Sequence, residues 1–349
     1  MRIGMIGFGG IAAAHLVGWR RRAASKPVEL TVFDIAPDRR QAARDARDDT
    51  LTAVVDSLDE LLAAADVVDI CTPSDTHADI VRTCARAGKH VLSEKPLALT
   101  PADAADAARV CRDAGVSLHV GHVVRFFGEY AAAHQAVRAG RIGTPAVLRF
   151  RRASAQPRSN DWMHLEERSG GVVLDLMIHD IDQARWFAGD VVRVFGRSTR
   201  PGRGGIDTIA LAVLTHANGA LTHLTGSWGL AAGFETSFEI AGTDGIVYYD
   251  STDHPTLRAD RPELLSAAGL LPLTVGDFPF ATEIDELADA ADGGPPARVT
   301  PADAIAAVAI ADAIRESIRT GAPVEPVPVP DDLAAATADA SQVAGGTWM

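Results

Sequence analysis

The chain has few cysteines, fewer basic than acidic residues and no long apolar run. Its three cysteines, Cys71, Cys84 and Cys111, form no Cys-x-x-Cys pair. The sequence therefore indicates reduced, buried thiols in the cytoplasm rather than a disulfide framework or a zinc knuckle. No segment reaches the length of a membrane span. The fairly apolar stretch 3–19 contains five glycines and is followed by arginines, so it indicates folded structure rather than a secretory signal.

The charge balance excludes several classes of partner. Lysine and arginine total 33 against 46 acidic residues, which gives a formal net charge of -13. Nucleic acids and anionic membranes require a basic surface, so we expect neither as a partner. A chain of 349 residues with 47% hydrophobic and 23% charged residues is typical of a soluble globular protein with more than one domain.

The N-terminus carries a glycine turn between a strand and a helix. Residues 2–6 predict a short strand, and an alanine-rich helix runs to about Arg22. The turn between them follows the G-x-G-x-x-G/A pattern with the residues Gly7, Phe8, Gly9, Gly10, Ile11 and Ala12. Gly7 permits the tight turn, Gly9 permits close approach of a pyrophosphate, and Ala12 permits close packing of the helix. The pattern predicts a dinucleotide-binding domain.

Asp34 follows the second predicted strand, 28–33, about 22 residues after the glycine pattern. A carboxylate there accepts hydrogen bonds from the adenosine ribose and repels a 2′-phosphate, which predicts NAD rather than NADP as cofactor. Arg39 and Arg40 lie just beyond and would weaken that preference. The alternative for Asp34 is an N-cap of the helix that contains Pro37.

Further strands at 51–55, 67–71, 89–93 and 116–120 alternate with helices, which predicts a parallel, doubly wound sheet. Ligands of such sheets bind beyond the carboxyl ends of the strands. Lys95, in the loop Glu94-Lys95-Pro96, follows the fifth strand at this edge. An ammonium group there is suited to hydrogen-bond a substrate hydroxyl or exchange a proton with it.

The stretch Gly170–Asp182 combines apolar residues with a carboxylate and an imidazole. If it forms one helix, Asp175 and His179 lie on the same face at i and i+4, with Asp182 nearby. Asp175 can then orient His179 as a general base, since histidine titrates near neutral pH. The alternative is an ordinary amphipathic helix.

Three motifs in this order resemble the Gfo/Idh/MocA family of nicotinamide-dependent sugar and polyol oxidoreductases. They are the glycine turn, Glu94-Lys95-Pro96, and Gly170-Gly171 with Asp175 and His179, and the resemblance spans roughly residues 1–325. It implies that Lys95, Asp175 and His179 are catalytic and that the segment 71–77 lies beside the cofactor. The cofactor-binding residues expected on these grounds are Gly7, Phe8, Gly9, Gly10, Ile11, Ala12, Asp34, Cys71, Thr72, Pro73, Ser74, His77, Glu94 and Lys95.

Beyond Gly121 the pattern predicts a different domain. Strands at 144–152, 191–198, 206–215, 220–227, 234–241 and 246–249, with Asn218-Gly219 as a hairpin turn, predict an α+β domain with a largely antiparallel sheet. The expected division is a Rossmann domain at 1–122, the α+β domain at 123–325 and a C-terminal extension at 326–349. The resemblance implies that the open sheet face forms a homo-oligomer, a dimer or tetramer.

Several polar residues remain candidates for substrate contacts. His122 and Arg125, near the expected domain junction, would hold substrate hydroxyls or serve a structural role. Trp162, after Asp161 in the long loop 153–169, would stack on a sugar ring or anchor the loop; His164 is a weaker candidate. No metal site is expected, because His119 and His122 fall on opposite faces and no helical His/Glu motif occurs.

The function expected from these residues is reversible oxidation of a secondary alcohol on a sugar or cyclic polyol. His179 takes the hydroxyl proton, Asp175 stabilises the imidazolium, Lys95 hydrogen-bonds the same oxygen, and the hydride goes to the nicotinamide. Two alternatives stay open at this point. One is an NAD-dependent glycosidase that oxidises the sugar transiently, and the other is a non-catalytic sensor of NAD or sugar.

Overall fold

The computed structural model describes residues 1–156, 162–199, 208–230, 233–253 and 278–334. The contacts divide the chain into two units. Unit 1 contains residues 1–122, 278–306 and 329–334, and unit 2 contains the described parts of 123–277 together with 307–328. None of the described helices has the length and apolarity needed to cross a bilayer.

The described ranges form strands and helices in the following order along the chain. The strands are β1 (Arg2–Ile6), β2 (Glu29–Phe33), β3 (Leu51–Val54), β4 (Val67–Ile70), β5 (His90–Glu94), β6 (Leu118–Gly121), β7 (Pro145–Ala155), β8 (Val191–Thr199), β9 (Ile209–His216), β10 (Leu221–Leu230), β11 (Phe234–Gly242) and β12 (Ile246–Asp250). The helices are α1 (Gly10–Ala23), α2 (Pro37–Asp45), α3 (Leu58–Ala64), α4 (His77–Arg86), α5 (Pro101–Asp113), α6 (Gly128–Arg138), α7 (Glu166–Ser169), α8 (Gly171–Asp175), α9 (Ile178–Ala188), α10 (Pro279–Ala291), α11 (Pro301–Thr320) and α12 (Asp331–Ala334).

Unit 1 is built on a parallel sheet with the strand order β3-β2-β1-β4-β5-β6. This is the order of the doubly wound dinucleotide-binding fold, so the predicted fold class is confirmed. All residues of β4 are buried, as expected for a central parallel strand covered on both faces. Sequence signals also mark helix starts: the Thr100 side chain caps α5 at the Asp103 amide, and Pro101 occupies the first helical position.

The helix α10 packs on α1 inside unit 1, although it follows the whole second sheet in sequence. The contact is close because Gly18 of α1 has no side chain: a Cβ there would collide with Ile284 of α10. Ile284 and Leu287 join the same apolar core as Trp19. The expected boundary, which placed residues 278–306 in the second domain, therefore differs from the observed division.

Burying α10 also buries a carboxyl group. Glu283 is fully buried, and neither of its oxygens has a hydrogen-bond partner among the residues that the structure describes. Burial, together with the negative charges of Glu94 and Asp69, raises the pKa of Glu283 well above its usual value against the opposing charge of His15. Burial without a hydrogen-bond partner among the described residues therefore favours the neutral acid form of Glu283.

Unit 2 is built on a sheet with the order β12-β11-β7-β10-β9-β8, in which β7 and β10 run parallel and the other neighbours run antiparallel. The predicted, largely antiparallel sheet is confirmed. Asn218-Gly219 forms the predicted hairpin turn, closed by the His216 amide on the Ala220 carbonyl at 2.9 Å. The helices α8 and α9 cover one face of this sheet at β7 and β10.

Two buried ion pairs involve the first turns of α9. Arg152 of β7 donates to both Asp180 oxygens at 3.0 and 2.8 Å, and Arg125 donates to both Asp182 oxygens at 2.8 and 2.6 Å. All four side chains are at most 2% exposed. Two-point geometry of this kind fixes orientation as well as distance. The pairs therefore set the position of α9, on which His179 lies.

The described part of the C-terminal segment is ordered by specific contacts. Val324 pairs with Val194 through backbone hydrogen bonds in unit 2. In unit 1, Asp332 of α12 forms ion pairs with Arg109 and Arg112 of α5. Val324 and Asp332 thus attach the described part of this segment to the protein.

The buried pair of Arg152 predicts a large difference between neighbouring arginines. Arg152→Ala leaves Asp180 buried without its cation and should lower the free energy of unfolding by about 3–5 kcal/mol. Arg151→Ala on the opposite face breaks only a half-exposed pair with Glu235 and should cost less than about 1 kcal/mol. Urea unfolding of both variants measures the difference. Equal losses would contradict the assignment.

The raised pKa of Glu283 predicts a pH-dependent gain from removing its charge. The unfolded chain ionises this residue while the folded state keeps it protonated, so its contribution to stability is lost as pH rises above its unfolded pKa. Glu283→Gln should therefore gain stability over wild type between about pH 5 and about pH 8, exceeding about 1 kcal/mol at the upper end.

The matched control is Glu286→Gln on the same helix. Glu286 pairs with Arg298 through a 2.6 Å contact, so this variant should lose stability and show no growing gain with pH. Thermal melts across the pH range compare the two variants. A pH-independent difference for Glu283→Gln would show that Glu283 is not a neutral buried acid.

Candidate active site

The turn after β1 has the shape of a dinucleotide-binding turn. Gly7 has a φ of 90°, and a Cβ there would lie 2.7 Å from the Cys71 carbonyl oxygen, so the position requires glycine. A Cβ on Gly9 or Gly10 would meet nothing within 4 Å. The first turn of α1 has neither a side-chain cap nor an acidic residue, which leaves its amide groups available to an anion. These features fit the pyrophosphate of NAD.

Asp34 lies directly after β2 and is hydrogen-bonded to the glycine turn. Its Oδ2 accepts the Phe8 N–H and its Oδ1 accepts the Ala36 N–H, both at 2.8 Å. Because Ala36 is the residue that precedes α2 as its N-cap, the alternative assignment of Asp34 as the cap is wrong. Arg40 donates to the Asp34 carbonyl at 2.7 Å and pairs with Asp56. The carboxylate position fits recognition of ribose hydroxyls.

The loop after β4 is tied to the loop after β5 by His77. The two ring nitrogens of His77 lie 2.7 Å from the Pro96 carbonyl oxygen and 2.8 Å from the Thr72 carbonyl oxygen. Burial lowers the pKa of His77, although the hydrogen bonds to the two carbonyls favour its protonated form. Pro73 and the buried Ser74 lie within this loop. The segment 71–77 is thus held at the carboxyl edge of the sheet.

Lys95 stands out by its exposure. In the segment 91–98 Lys95 is partly exposed, and all the remaining residues are buried. Its neighbour Glu94 accepts the Lys95 backbone N–H through Oε2 at 3.0 Å. A lysine at the end of β5, in a loop held from below by a buried carboxylate, is suited to act on a bound ligand at the sheet edge.

Beneath this edge lies a buried group of charged residues, of which the sequence analysis selected Glu94 but not His15 or Asp69. His15 Nδ1 lies 3.0 Å from both Asp69 oxygens and its Nε2 lies 3.0 Å from Glu94 Oε1. Trp19 donates to Asp69 Oδ2 at 2.7 Å. His15, Asp69 and Cys71 bring ligand-type atoms within 4.8 Å of one another, and the hydrogen bonds among them account for that arrangement. A carboxylate inside the apolar strand 67–71 was the available sequence signal.

The helix predicted across Gly170–Asp182 is interrupted, and that prediction of one continuous helix is wrong. α8 ends at Asp175 and α9 begins at Ile178. The Met177 amide donates to the Val172 carbonyl, five residues back, at 3.0 Å, which widens the turn. Met177 packs over Gly226 of β10, where any Cβ would collide with its side chain. Wide turns of this kind are frequent at functional sites.

Asp175 and His179 keep the exposure expected of reactive groups. In the fully described segment 169–184 they are the two residues that are not buried. The intervening residues Leu176 and Met177 have right-handed helical backbone angles, so the two side chains remain about one turn apart. An amphipathic surface helix would expose a wider stripe than two residues. The pattern favours a small polar opening in an otherwise packed segment.

The other predicted substrate residues are placed as follows. His122 directly follows β6, is 1% exposed and bonds the Val120 carbonyl through its backbone amide at 2.8 Å. Arg125 is buried against Asp182 with its guanidinium over the Trp186 ring, an arrangement that favours the structural alternative. Trp162 is partly exposed in a short helical turn. Asp161 lies outside the described residues.

Comparison with known proteins agrees with these features. Residues 1–122 match a family model described as "Oxidoreductase family, NAD-binding Rossmann fold", and residues 130–248 match the "GFO/IDH/MocA C-terminal domain". The chain is 30% identical over 265 residues to myo-inositol 2-dehydrogenase of Thermotoga maritima, covering 74% of this chain and 77% of that protein. It is 29% identical over 336 residues to inositol 2-dehydrogenase of Rhizobium meliloti, covering 91% and 97%.

A solved structure shows the same fold along nearly the whole chain. The myo-inositol dehydrogenase of Corynebacterium glutamicum superposes with a TM-score of 0.78 at 25% identity, covering 94% of this chain and 99% of that one. The glycine turn, the carboxylate after β2 and the family models together identify unit 1 as an NAD-binding domain. The chain belongs to the Gfo/Idh/MocA family of NAD-dependent oxidoreductases.

Proposed function

We propose that this enzyme oxidises, or in reverse forms, a secondary alcohol of a sugar, a sugar derivative or a cyclic polyol, with inositol-like polyols as the first candidates. The names of the two curated relatives support this substrate class. The observation that carries the proposal is the pattern of exposure: Lys95, Asp175 and His179 are the partly exposed residues in otherwise buried segments. An acid-base set of this composition serves the oxidation of an alcohol.

Each of the three residues has a distinct role in the proposal. NAD, when bound, accepts the hydride from the carbinol carbon. Lys95 hydrogen-bonds the substrate hydroxyl and orients it. His179 receives the hydroxyl proton, and Asp175 stabilises the imidazolium that results. His122 and Trp162 remain proposed substrate contacts, whereas Arg125 supports α9 through Asp182.

The cofactor-binding residues keep their predicted roles in the proposal. The backbone of the glycine turn and α1 holds the pyrophosphate, and Asp34 binds the adenosine ribose and disfavours a 2′-phosphate. The segment 71–77 and the Glu94–Lys95 loop border the nicotinamide half. Arg40 is engaged by the Asp34 carbonyl and by Asp56, which supports NAD over NADP.

The outward face of the second sheet is the proposed surface for a dimer or tetramer. The strand registers place on this one face Leu211, Val213, Leu221, Ile246 and Tyr248, all at least 41% exposed. Ion pairs of Arg149 with Glu239 and of Arg151 with Glu235 lie among them. A second copy of the chain that covers this face would bury the apolar side chains.

A cytoplasmic location completes the proposal. Cys71, Cys84 and Cys111 are free and buried, and burial raises the pKa of each thiol to about 12. Free, protonated thiols are typical of proteins in a reducing compartment such as the cytoplasm.

The catalytic assignment predicts loss of turnover without loss of cofactor binding. Lys95→Met and His179→Gln should each lower kcat by at least about 100-fold, because each removes a group that orients or accepts the hydroxyl proton. The dissociation constant for NAD should stay within about threefold of wild type. NADH absorbance across inositols, hexoses and deoxysugars measures turnover, and titration calorimetry measures NAD binding.

Lys26→Met is the matched control, since Lys26 forms an exposed pair with Asp289 and should turn over like wild type. Retained turnover in Lys95→Met and His179→Gln would refute the assignment. Glycoside hydrolysis without net NADH formation would replace the proposed reaction by the glycosidase alternative.

The surface assignment predicts dissociation by a single charge. Val213→Glu should convert the proposed oligomer to monomers, because a carboxylate on the face buried between copies would be desolvated. Val327→Glu is the control, since Val327 is 56% exposed and lies outside the sheet. Light scattering after gel filtration measures the mass. A monomeric wild type, or an unchanged Val213→Glu oligomer, would contradict the proposal.

A further inference from the structure

The buried charged group around His15 connects three elements of unit 1. His15 and Trp19 come from α1, Asp69 comes from the middle of β4, and Glu94 ends β5. His15, Asp69 and Glu94 are at most 5% exposed. The catalytic proposal assigns no step to any of these side chains. Such a group is costly to bury unless every member is paired.

The geometry requires a positively charged His15. Both ring nitrogens face carboxylate oxygens at 3.0 Å, and ionised carboxylates only accept hydrogen bonds, so both nitrogens carry hydrogen. Burial opposes this charge, but the charge and the hydrogen bond of Asp69 raise the pKa of His15 well above its usual value. Burial also opposes ionisation of Glu94, and the hydrogen bond and charge of His15 hold its pKa below the usual value. Burial raises the pKa of both the Glu283 carboxyl and the Cys71 thiol, which face the same group, and so favours their neutral forms.

Glu94 transmits the position of His15 to the backbone of Lys95. One carboxylate oxygen, Oε1, binds His15, and the other, Oε2, accepts the Lys95 N–H at 3.0 Å. A rigid carboxylate held at both oxygens fixes the start of the lysine loop.

We propose that His15 is a positioning residue for Lys95: it holds Glu94, and through it the lysine backbone, in register with the helix that begins at the glycine turn. The role rests on the proposed catalytic function of Lys95. The glycine turn for the cofactor leads into α1, and α1 carries His15. The same helix therefore helps to fix the positions of both the cofactor and Lys95. A displacement of the lysine by about 1 Å would be enough to slow the reaction substantially.

Trp19 offers a matched control inside the same group. It lies one turn after His15 on α1, is equally buried and donates to the same carboxylate, Asp69. Its indole N–H donates to Asp69 rather than to Glu94, so it stabilises the group without reaching the lysine loop. Trp19→Phe therefore removes a buried hydrogen bond and part of the buried ring volume, and it tests whether general destabilisation explains any effect of His15.

The first experiment measures amide hydrogen exchange of Lys95 in the full chain without cofactor. His15→Gln should speed exchange of the Lys95 amide by at least about tenfold, because Glu94 loses its anchor. Glu94→Asp keeps the charge but is one methylene shorter, so it cannot span both partners and should have the same effect even if His15→Gln folds poorly. Trp19→Phe should leave Lys95 exchange within about twofold of wild type. Unchanged protection in both His15→Gln and Glu94→Asp, or equal loss in Trp19→Phe, would overturn the proposal.

The second experiment separates this inference from the proposed function. His15→Gln and Glu94→Asp should lower kcat by about tenfold or more while KM for NAD changes by less than about threefold, and Trp19→Phe should change neither. If Lys95→Met retains turnover, the function assigned to Lys95 fails, whereas the exchange data still test the link from His15 to its backbone. If Lys95→Met is inactive and His15→Gln has wild-type kcat, the positioning role is refuted.

Discussion

A buried imidazolium between two carboxylates occupies the place in unit 1 where the glycine turn, the central strand and the lysine loop meet. His15 reaches Asp69 on β4 and Glu94 on β5 from a helix that starts at the cofactor turn. The parallel sheet places the ends of these strands at one edge, but sheet hydrogen bonds do not orient the side chains or loops beyond that edge. Charge-assisted hydrogen bonds beneath it supply that orientation, since ions buried at this depth tolerate little displacement.

In unit 2, buried ion pairs also position the candidate residues, but here arginines pair with aspartates. Arg152 and Arg125 hold Asp180 and Asp182 at two points each, and these acidic residues flank Ile181 just after His179. The widened turn at Met177 separates α8 from α9 where Asp175 and His179 keep their exposure. Apolar packing surrounds the two side chains, so buried ion pairs rather than surface contacts set where the helix lies.

Local sequence patterns predicted the strand–turn–helix of the cofactor domain, Asp34 after β2 and Lys95 after β5, because each depends on residues close together in the chain. The sequence did not predict the break at Leu176 and Met177, since its residues have no helix-breaking character. That break reflects the close approach of Met177 to Gly226 on a distant strand. Nor could periodicity show that α10 packs on α1. Gly18 allows this close approach, but the sequence does not show which distant segment makes it.

The sequence by itself determined the order of strands and helices, the anion-binding turn and the residue types available for acid-base chemistry. These follow from periodicity, turn chemistry and spacing, which act over a few residues. Only the tertiary structure decided that His15 lies between Asp69 and Glu94, that Arg125 is held by Asp182, and that Glu283 is buried without a partner among the described residues. Those relations depend on contacts between segments far apart in the chain, where burial and charge pairing decide each side chain's state.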